Sequence, residues 1–128
     1  MNAESLFWLR FAEENLKAAK LCLQNGLMNP CLQNAQQAVE KSLKALCLLF
    51  GMPIKKTHSI EGLRNELNDG GVPETLNDEE CELLDTIYLP SKYPLGSILP
   101  FFTPDEAIAR RCVNIAERVV RDALKRNE

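Results

Sequence analysis

Polar side chains that could bind or transform a ligand recur along one predicted helix. Gln36, Glu40 and Lys44 follow one another at intervals of four residues, at the edge of a broad apolar arc, and such residues lie above one another on a helix. An unpaired buried polar group costs about 1–3 kcal/mol, so each needs a partner. The row either joins helices through hydrogen bonds and a Glu40–Lys44 ion pair, or forms the polar floor of a ligand site. Gln37 and Lys41 lie farther round the helix and face a ligand, solvent or a second subunit.

A second candidate is Thr57-His58-Ser59, which directly precedes the next predicted helix. One interpretation is capping: Thr57 or Ser59 accepts the free N–H groups of the helix start, and His58 bonds a side chain of the preceding helix. The other is chemical: His58 acts as a general base or contacts a nucleotide, with the helix N-terminus suited to phosphate.

Lys92 and Tyr93 form a third candidate, in a segment that contains several prolines. Tyr93 either anchors this segment on the rest of the protein or stacks on a base, while Lys92, with Lys55 and Lys56, contacts phosphate. Both interpretations stay open, because long loops often carry function without revealing which one.

Composition limits the classes of protein to consider. The chain has 128 residues, 45% hydrophobic and 26% charged, with a net charge of −3, which is ordinary for one soluble domain spanning 1–128. The acidic balance argues against tight binding to duplex nucleic acid through bulk charge. Five scattered cysteines and one histidine predict reduced core thiols and neither a zinc site nor a cofactor. Neither a signal peptide nor a membrane span is predicted, so we expect a cytoplasmic protein.

Apolar spacing predicts helices nearly throughout. The first runs from about Ala3 to Gln24, and the second opens with Asn29 as N-cap and Pro30 at the first helical position, continuing to Phe50. A short connection predicts that these two pack as an antiparallel hairpin.

Three further helices complete the pattern. A short third helix carries Ile60, Leu63 and Leu67 on its apolar side, and a fourth begins near Asn77-Asp78 and stops before Pro90. The fifth has Thr103 as N-cap. This helix also carries a polar stripe with a basic bias, formed by Arg110, Asn114, Arg118, Arg121 and Lys125. The fold class is all-α, a bundle of four to five helices.

The sequence resembles the HEPN domain family (higher eukaryotes and prokaryotes nucleotide-binding domain) over almost its whole length. The central motif is Gln36-Gln37-Ala38-Val39-Glu40-Lys41 with Leu43-Lys44-Ala45, and Thr57-His58 matches the family's entry to its third helix. Trp8 with Ala12, Leu16 and Ala19 is similar to the first-helix pattern, Lys92-Tyr93-Pro94 resembles the later tyrosine-proline element, and Ala116-Glu117 fits the last helix.

The resemblance implies a cytoplasmic, up-and-down helical bundle that commonly forms dimers. It also implies, as a partner, a minimal nucleotidyltransferase, often as toxin and antitoxin. Some members are metal-independent ribonucleases that carry an Arg, four to six residues, then His. This chain departs there, because Arg10 is the only arginine before His58, and Lys92 stands where other members have arginine.

We therefore expect a homodimeric module that binds a nucleotide or RNA and pairs with a nucleotidyltransferase, rather than an enzyme. Its ligand-binding residues would be Gln36, Gln37, Glu40, Lys41, Lys44, Thr57, His58, Lys92 and Tyr93. One alternative is a ribonuclease toxin that uses His58, with lysine replacing arginine, although lysine lacks the planar donor fork that clamps phosphate. Another is a purely structural antitoxin or scaffold.

Overall fold

The computed structural model describes residues 2–54, 56–73, 76–92 and 105–128, with side chains for all of them except 89–92. This part of the chain forms five helices and no strand. They are α1 (Ala3–Gln24), α2 (Met28–Leu49), α3 (Ile60–Asp69), α4 (Asp78–Lys92) and α5 (Glu106–Arg126). The prediction of an all-α bundle is confirmed.

Helices α1 and α2 form the predicted antiparallel hairpin. Near its open end the Ser5 hydroxyl donates to the Ala45 carbonyl at 2.8 Å, and halfway along, the Asn15 amide donates to Asn34 at 3.0 Å. Helix α1 begins at the predicted residue, with the Asn2 side chain accepting the Ser5 N–H. It ends through Gly26, whose φ of 73° suits a residue without Cβ, and the Leu27 N–H bonds the Cys22 carbonyl at 2.9 Å.

Helix α2 is the centre of the molecule, because it contacts each of the other four helices. More than half of its residues are buried, and alanines at 35, 38 and 45 let neighbouring backbones approach closely. The largest fully buried apolar side chains come from all five helices: Leu9, Leu32, Val39, Leu43, Leu46, Ile60, Leu63, Leu67, Leu84, Val119 and Val120. A polar row on such a helix is therefore held among packed neighbours.

Two predicted helix starts were wrong. Helix α2 begins at Met28 rather than after Asn29, and its N-cap, Leu27, makes no side-chain bond. Pro30 is tolerated because the N–H groups of a first turn have no partner within the helix. Helix α5 begins at Glu106, and its N-cap is Asp105, whose carboxylate accepts the Ile108 N–H at 2.8 Å. Thr103 lies outside the described residues.

The predicted end of the fourth helix was also wrong, because α4 continues past Pro90 to Lys92. A proline removes one hydrogen bond, here the one that would reach the carbonyl of residue 86, and within a last turn that loss stays local. None of the described helices combines the length and the hydropathy needed to cross a membrane.

Candidate functional site

The buried carboxylate of Glu40 is the centre of the polar row. Lys44 Nζ donates to Glu40 Oε2 at 3.0 Å, and Gln36 Nε2 lies 3.4 Å from Oε1. The Gln37 amide donates to Gln36 Oε1 at 2.7 Å. Only 4% of the Glu40 side chain and 9% of the Lys44 side chain are exposed, so the predicted pair forms away from bulk solvent. Each polar group of the row thus has a partner.

His58 joins this row from the segment before α3. Its Nδ1 lies 3.2 Å and 3.3 Å from the two oxygens of Glu40. The ring also stacks on Tyr88 of α4, with centroids 4.7 Å apart and planes inclined by 16°. Half of the His58 side chain is exposed, at 51%. The carboxylate therefore holds one ring nitrogen and the tyrosine covers one ring face, while half of the side chain stays exposed.

We name these residues the Glu40 cluster: Gln36, Gln37, Glu40, Lys44, His58 and Tyr88. Lys44 extends the cluster toward α1, since its Nζ lies 5.7 Å from the centroid of Trp8. A cation over an aromatic face is stabilised by the ring quadrupole. The cluster consequently spans α2, α4 and the entry to α3, and it contacts α1 through Lys44.

Lys41 belongs to a different group of side chains. Its Nζ donates to Asn15 Oδ1 at 2.7 Å and lies 5.6 Å from the centroid of Phe11. Asn15 in turn donates to Asn34. The structure therefore does not join Lys41 to the Glu40 cluster.

The N-terminus of α3 is capped from within the chain. Ser59 Oγ accepts the Gly62 N–H at 3.0 Å, as one of the two capping interpretations predicts, and Thr57 Oγ1 accepts the Ser59 N–H at 3.1 Å. Asp85 of α4 accepts the Ile60 N–H at 2.7 Å and the N–H of residue 61 at 3.2 Å. A carboxylate therefore already occupies the helix start that the second interpretation assigned to phosphate.

An acidic cleft of about 590 Å³ adjoins that helix start, between α3 and α4. Its charged lining comprises Glu61, Asp78, Glu82 and Asp85 with Arg64. Arg64 donates to Asp78 at 2.7 Å, and this hydrogen bond, opposed by burial, raises the pKa of the guanidinium above its usual value. Four carboxylates against one cation make the cleft repulsive to phosphate.

Two predicted site residues fall outside what the structure describes in full. Tyr93 lies outside the described residues, as does Lys55, and Lys92 is the last residue of α4 with no described side chain. Two residues that the sequence argument missed are Tyr88 and Asp85, both on α4. In the sequence, Tyr88 lies among apolar residues and Asp85 near other acidic residues, so neither stands out as a site residue. Their contacts depend on how α4 packs against α3.

No group of three His, Cys, Asp or Glu residues is arranged to hold a metal ion within the described part of the chain. The described residues form an all-α bundle domain, in which a buried carboxylate of the central helix orients a half-exposed histidine.

Comparison with known proteins assigns this domain. The HEPN domain family matches residues 5–127, and the chain therefore belongs to the HEPN family, as its resemblance predicted.

Three individual proteins are also similar to this chain. The crystal structure of ST0689, an archaeal HEPN homologue, matches with a TM-score of 0.70 and 23% identity over 97% of this chain and 98% of that one. The crystal structure of TT1696 from Thermus thermophilus matches with a TM-score of 0.75 and 27% identity over 98% of each chain. A Methanocaldococcus jannaschii protein named "Putative toxin MJ1304" is 27% identical over 92% of this chain and 86% of its own length.

Proposed function

We propose that this protein is a HEPN module of the toxin–antitoxin type that binds a nucleotide or an RNA base on the exposed face of His58. The observation that carries the proposal is the half-exposed imidazole held between Glu40 and Tyr88. The name of the Methanocaldococcus jannaschii relative supports the toxin–antitoxin setting.

Stacking on the His58 ring would supply the binding energy. An aromatic side chain that stacks on a base contributes about 1–3 kcal/mol per base with little dependence on sequence. Tyr88 already covers one face of the His58 ring, and the Glu40 carboxylate fixes its orientation. Because the ring is already held before binding, a base that stacks on it costs little further side-chain conformational entropy. Lys44 and Gln36 are engaged with Glu40, so they support the ring rather than contact the ligand.

We further propose that the protein is a homodimer and that a minimal nucleotidyltransferase is its partner. Helix α1 supports a second subunit, because Phe7, Phe11 and Leu21 share one face and are 59%, 42% and 52% exposed. The two phenylalanine rings contact each other edge to face at 5.0 Å. Large apolar side chains grouped on one surface are typical of interaction sites.

Calorimetric titration tests the ligand. ATP, GTP and a short single-stranded RNA are titrated into the wild-type protein and into His58→Ala and His58→Phe. We expect heat from at least one ligand, a loss of about tenfold in affinity in His58→Ala, and near-normal affinity in His58→Phe, which keeps a ring against Tyr88. Wild-type protein that gives no heat with all three would exclude ligand binding and leave a structural antitoxin or scaffold.

One observation favours a second candidate, a ribonuclease toxin. A carboxylate that bonds Nδ1 of a histidine leaves Nε2 for proton transfer, and Nε2 of His58 bonds none of the described residues. Incubation of cellular RNA with the wild type, His58→Ala and His58→Phe separates the candidates. Cleavage by the wild type that both substitutions abolish identifies an enzyme. If the wild type does not cleave RNA and His58→Phe still binds it, the result supports the binding module.

A further inference from the structure

The solvent-facing side of α5 concentrates positive charge on a chain that is acidic as a whole. Its exposed cations lie within about 100° of the helix circumference and extend over about 22 Å of its axis. The net charge of the whole protein, by contrast, is −3. We name these residues the basic face: Arg110, Arg111, Arg118, Arg121 and Lys125.

Part of the basic face is shaped as a groove. Arg110, Arg111, Asn114 and Arg118 line a space of about 460 Å³ whose other walls include Glu80. Arginine donors and an amide in one groove match the oxygens of phosphodiesters, which accept paired hydrogen bonds from a planar guanidinium.

A buried carboxylate holds the central arginine of this groove. Glu80 is 11% exposed and accepts from Arg118 at 2.7 Å, while the Asn77 N–H donates to the same Glu80 oxygen at 3.0 Å. The Asn77 side chain accepts the Glu80 N–H at 2.8 Å, which closes a capping box at the start of α4. Glu80 is thus held through both its backbone and its carboxylate, and it positions Arg118, whose side chain stays 44% exposed.

The other arginines of the basic face form solvent-exposed ion pairs, in which another anion can replace the carboxylate. Arg110 pairs with Glu106 at 3.1 Å and Arg121 with Glu117 at 2.8 Å, and both arginine side chains are more than half exposed. Arg111 lies 3.9 Å from Glu79, and Glu117 also accepts from Lys20 at 2.9 Å. Exposed pairs of this kind are weak, so a phosphate can replace the carboxylate at small cost.

We infer that the basic face binds the phosphodiester backbone of an RNA strand. The inference rests on the proposed function for its choice of RNA and adds a second contact surface to it. Glu80 and Tyr88 lie on the same helix, about 12 Å apart along its axis, so a strand of a few nucleotides is long enough to reach from the His58 ring to Arg118. His58 would contact a base, and the basic face would contact phosphates, which carry affinity without sequence preference.

The test is the salt dependence of RNA binding, measured by fluorescence anisotropy with a labelled single-stranded RNA of mixed sequence. The double variant Arg110→Gln/Arg121→Gln leaves Arg118 and its bond to Glu80 in place, so the fold is retained. The slope of log affinity against log salt is negative, and each lost phosphate contact reduces its magnitude by about 0.7. The slope of the double variant should therefore be smaller in magnitude by about 1.4. Arg10→Gln removes an exposed arginine from α1 and should leave the slope unchanged.

Unchanged slopes in Arg110→Gln/Arg121→Gln, or a loss in Arg10→Gln of the same size per charge, would overturn the inference. So would wild-type protein that binds ATP or GTP but no RNA. His58→Ala is measured in parallel, to separate the failure of this inference from that of the proposed function. RNA binding that depends on His58 but not on the α5 arginines would exclude only the basic face. RNA binding that depends on the α5 arginines but not on His58 would exclude only the His58 site.

Discussion

Glu40 pairs with two side chains that come from different parts of the chain. It faces Lys44 one turn along α2 and His58 from the segment before α3. Burying a charge without a counter-charge is costly, and removing one member of a buried pair typically destabilises a protein by about 3–5 kcal/mol. The same carboxylate therefore contributes to stability and sets the orientation of the proposed ligand contact.

A double-mutant cycle tests the contribution to stability. Glu40→Gln should lower the free energy of unfolding by about 3–5 kcal/mol, because it leaves the Lys44 ammonium buried without its counter-charge. Lys44→Met removes that ammonium, so the double variant should lose less than the sum of the single losses, with a coupling of about 1–3 kcal/mol. Urea denaturation measures all four proteins. Strictly additive losses would contradict the coupling between the two charges.

At the scale of elements, sequence patterns located the helices and missed contacts between them. The spacing of apolar residues predicted α1 to the residue and the core side of α3, because helical periodicity is a local property. Asn29-Pro30 misled the prediction of the α2 start, since a first turn accepts proline at more than one position. The pattern predicted the Glu40–Lys44 pair and allowed His58 to bond α2. The contacts of Tyr88 and Asp85 depend on how α3 and α4 pack, which no local pattern encodes.

Asp85 shows how one helix stabilises the start of another. It accepts the N–H groups of residues 60 and 61 at the beginning of α3, where the helix dipole also favours a negative charge. Asp85→Ala should lower the free energy of unfolding by about 1–2 kcal/mol, and Asp85→Asn should lose less because the amide keeps an acceptor. Chemical denaturation provides the measurement. Glu82→Ala, on the same helix and exposed, is the control, and equal losses in Asp85→Ala and Glu82→Ala would refute the assignment.

The start of α4 should confer a pH dependence on stability. Burial opposes the ionisation of Glu80, but hydrogen bonds from Arg118 and the Asn77 backbone, together with the nearby arginines, outweigh it and lower the pKa below 4.5. A carboxyl with a lowered pKa in the folded state stabilises the protein above the unfolded pKa, and the contribution is lost as the pH falls through the folded pKa. The difference in unfolding free energy between the wild type and Glu80→Gln should therefore shrink below about pH 4.5.

Urea denaturation across this pH range measures that difference. Glu79→Gln is the matched control, because the Glu79 side chain is 86% exposed and lies one residue away. A difference between the wild type and Glu80→Gln that stays constant down to acid pH would show that the Arg118 bond does not stabilise the ionised carboxyl.

On the scale of the whole molecule, α1 presents the apolar face that we assign to a second subunit. Phe7→Ser/Phe11→Ser should convert a dimer into a monomer in equilibrium sedimentation, while the fold is retained because both rings lie outside the core. Leu27→Ser is the control, since Leu27 is 53% exposed but lies in the turn between α1 and α2. A wild-type protein that is monomeric at micromolar concentrations, or a double variant that remains dimeric, would exclude this face as the interface.

A base that stacks on His58 should be directly visible in the proton NMR spectrum. His58 is the only histidine of the chain, so the ring protons of its imidazole give proton NMR signals that belong to one residue. Titration with a short single-stranded RNA should move these signals upfield through the ring current of a stacked base, along the same saturation curve as the overall binding. RNA that binds to the protein while the His58 ring signals stay in place would contradict the account.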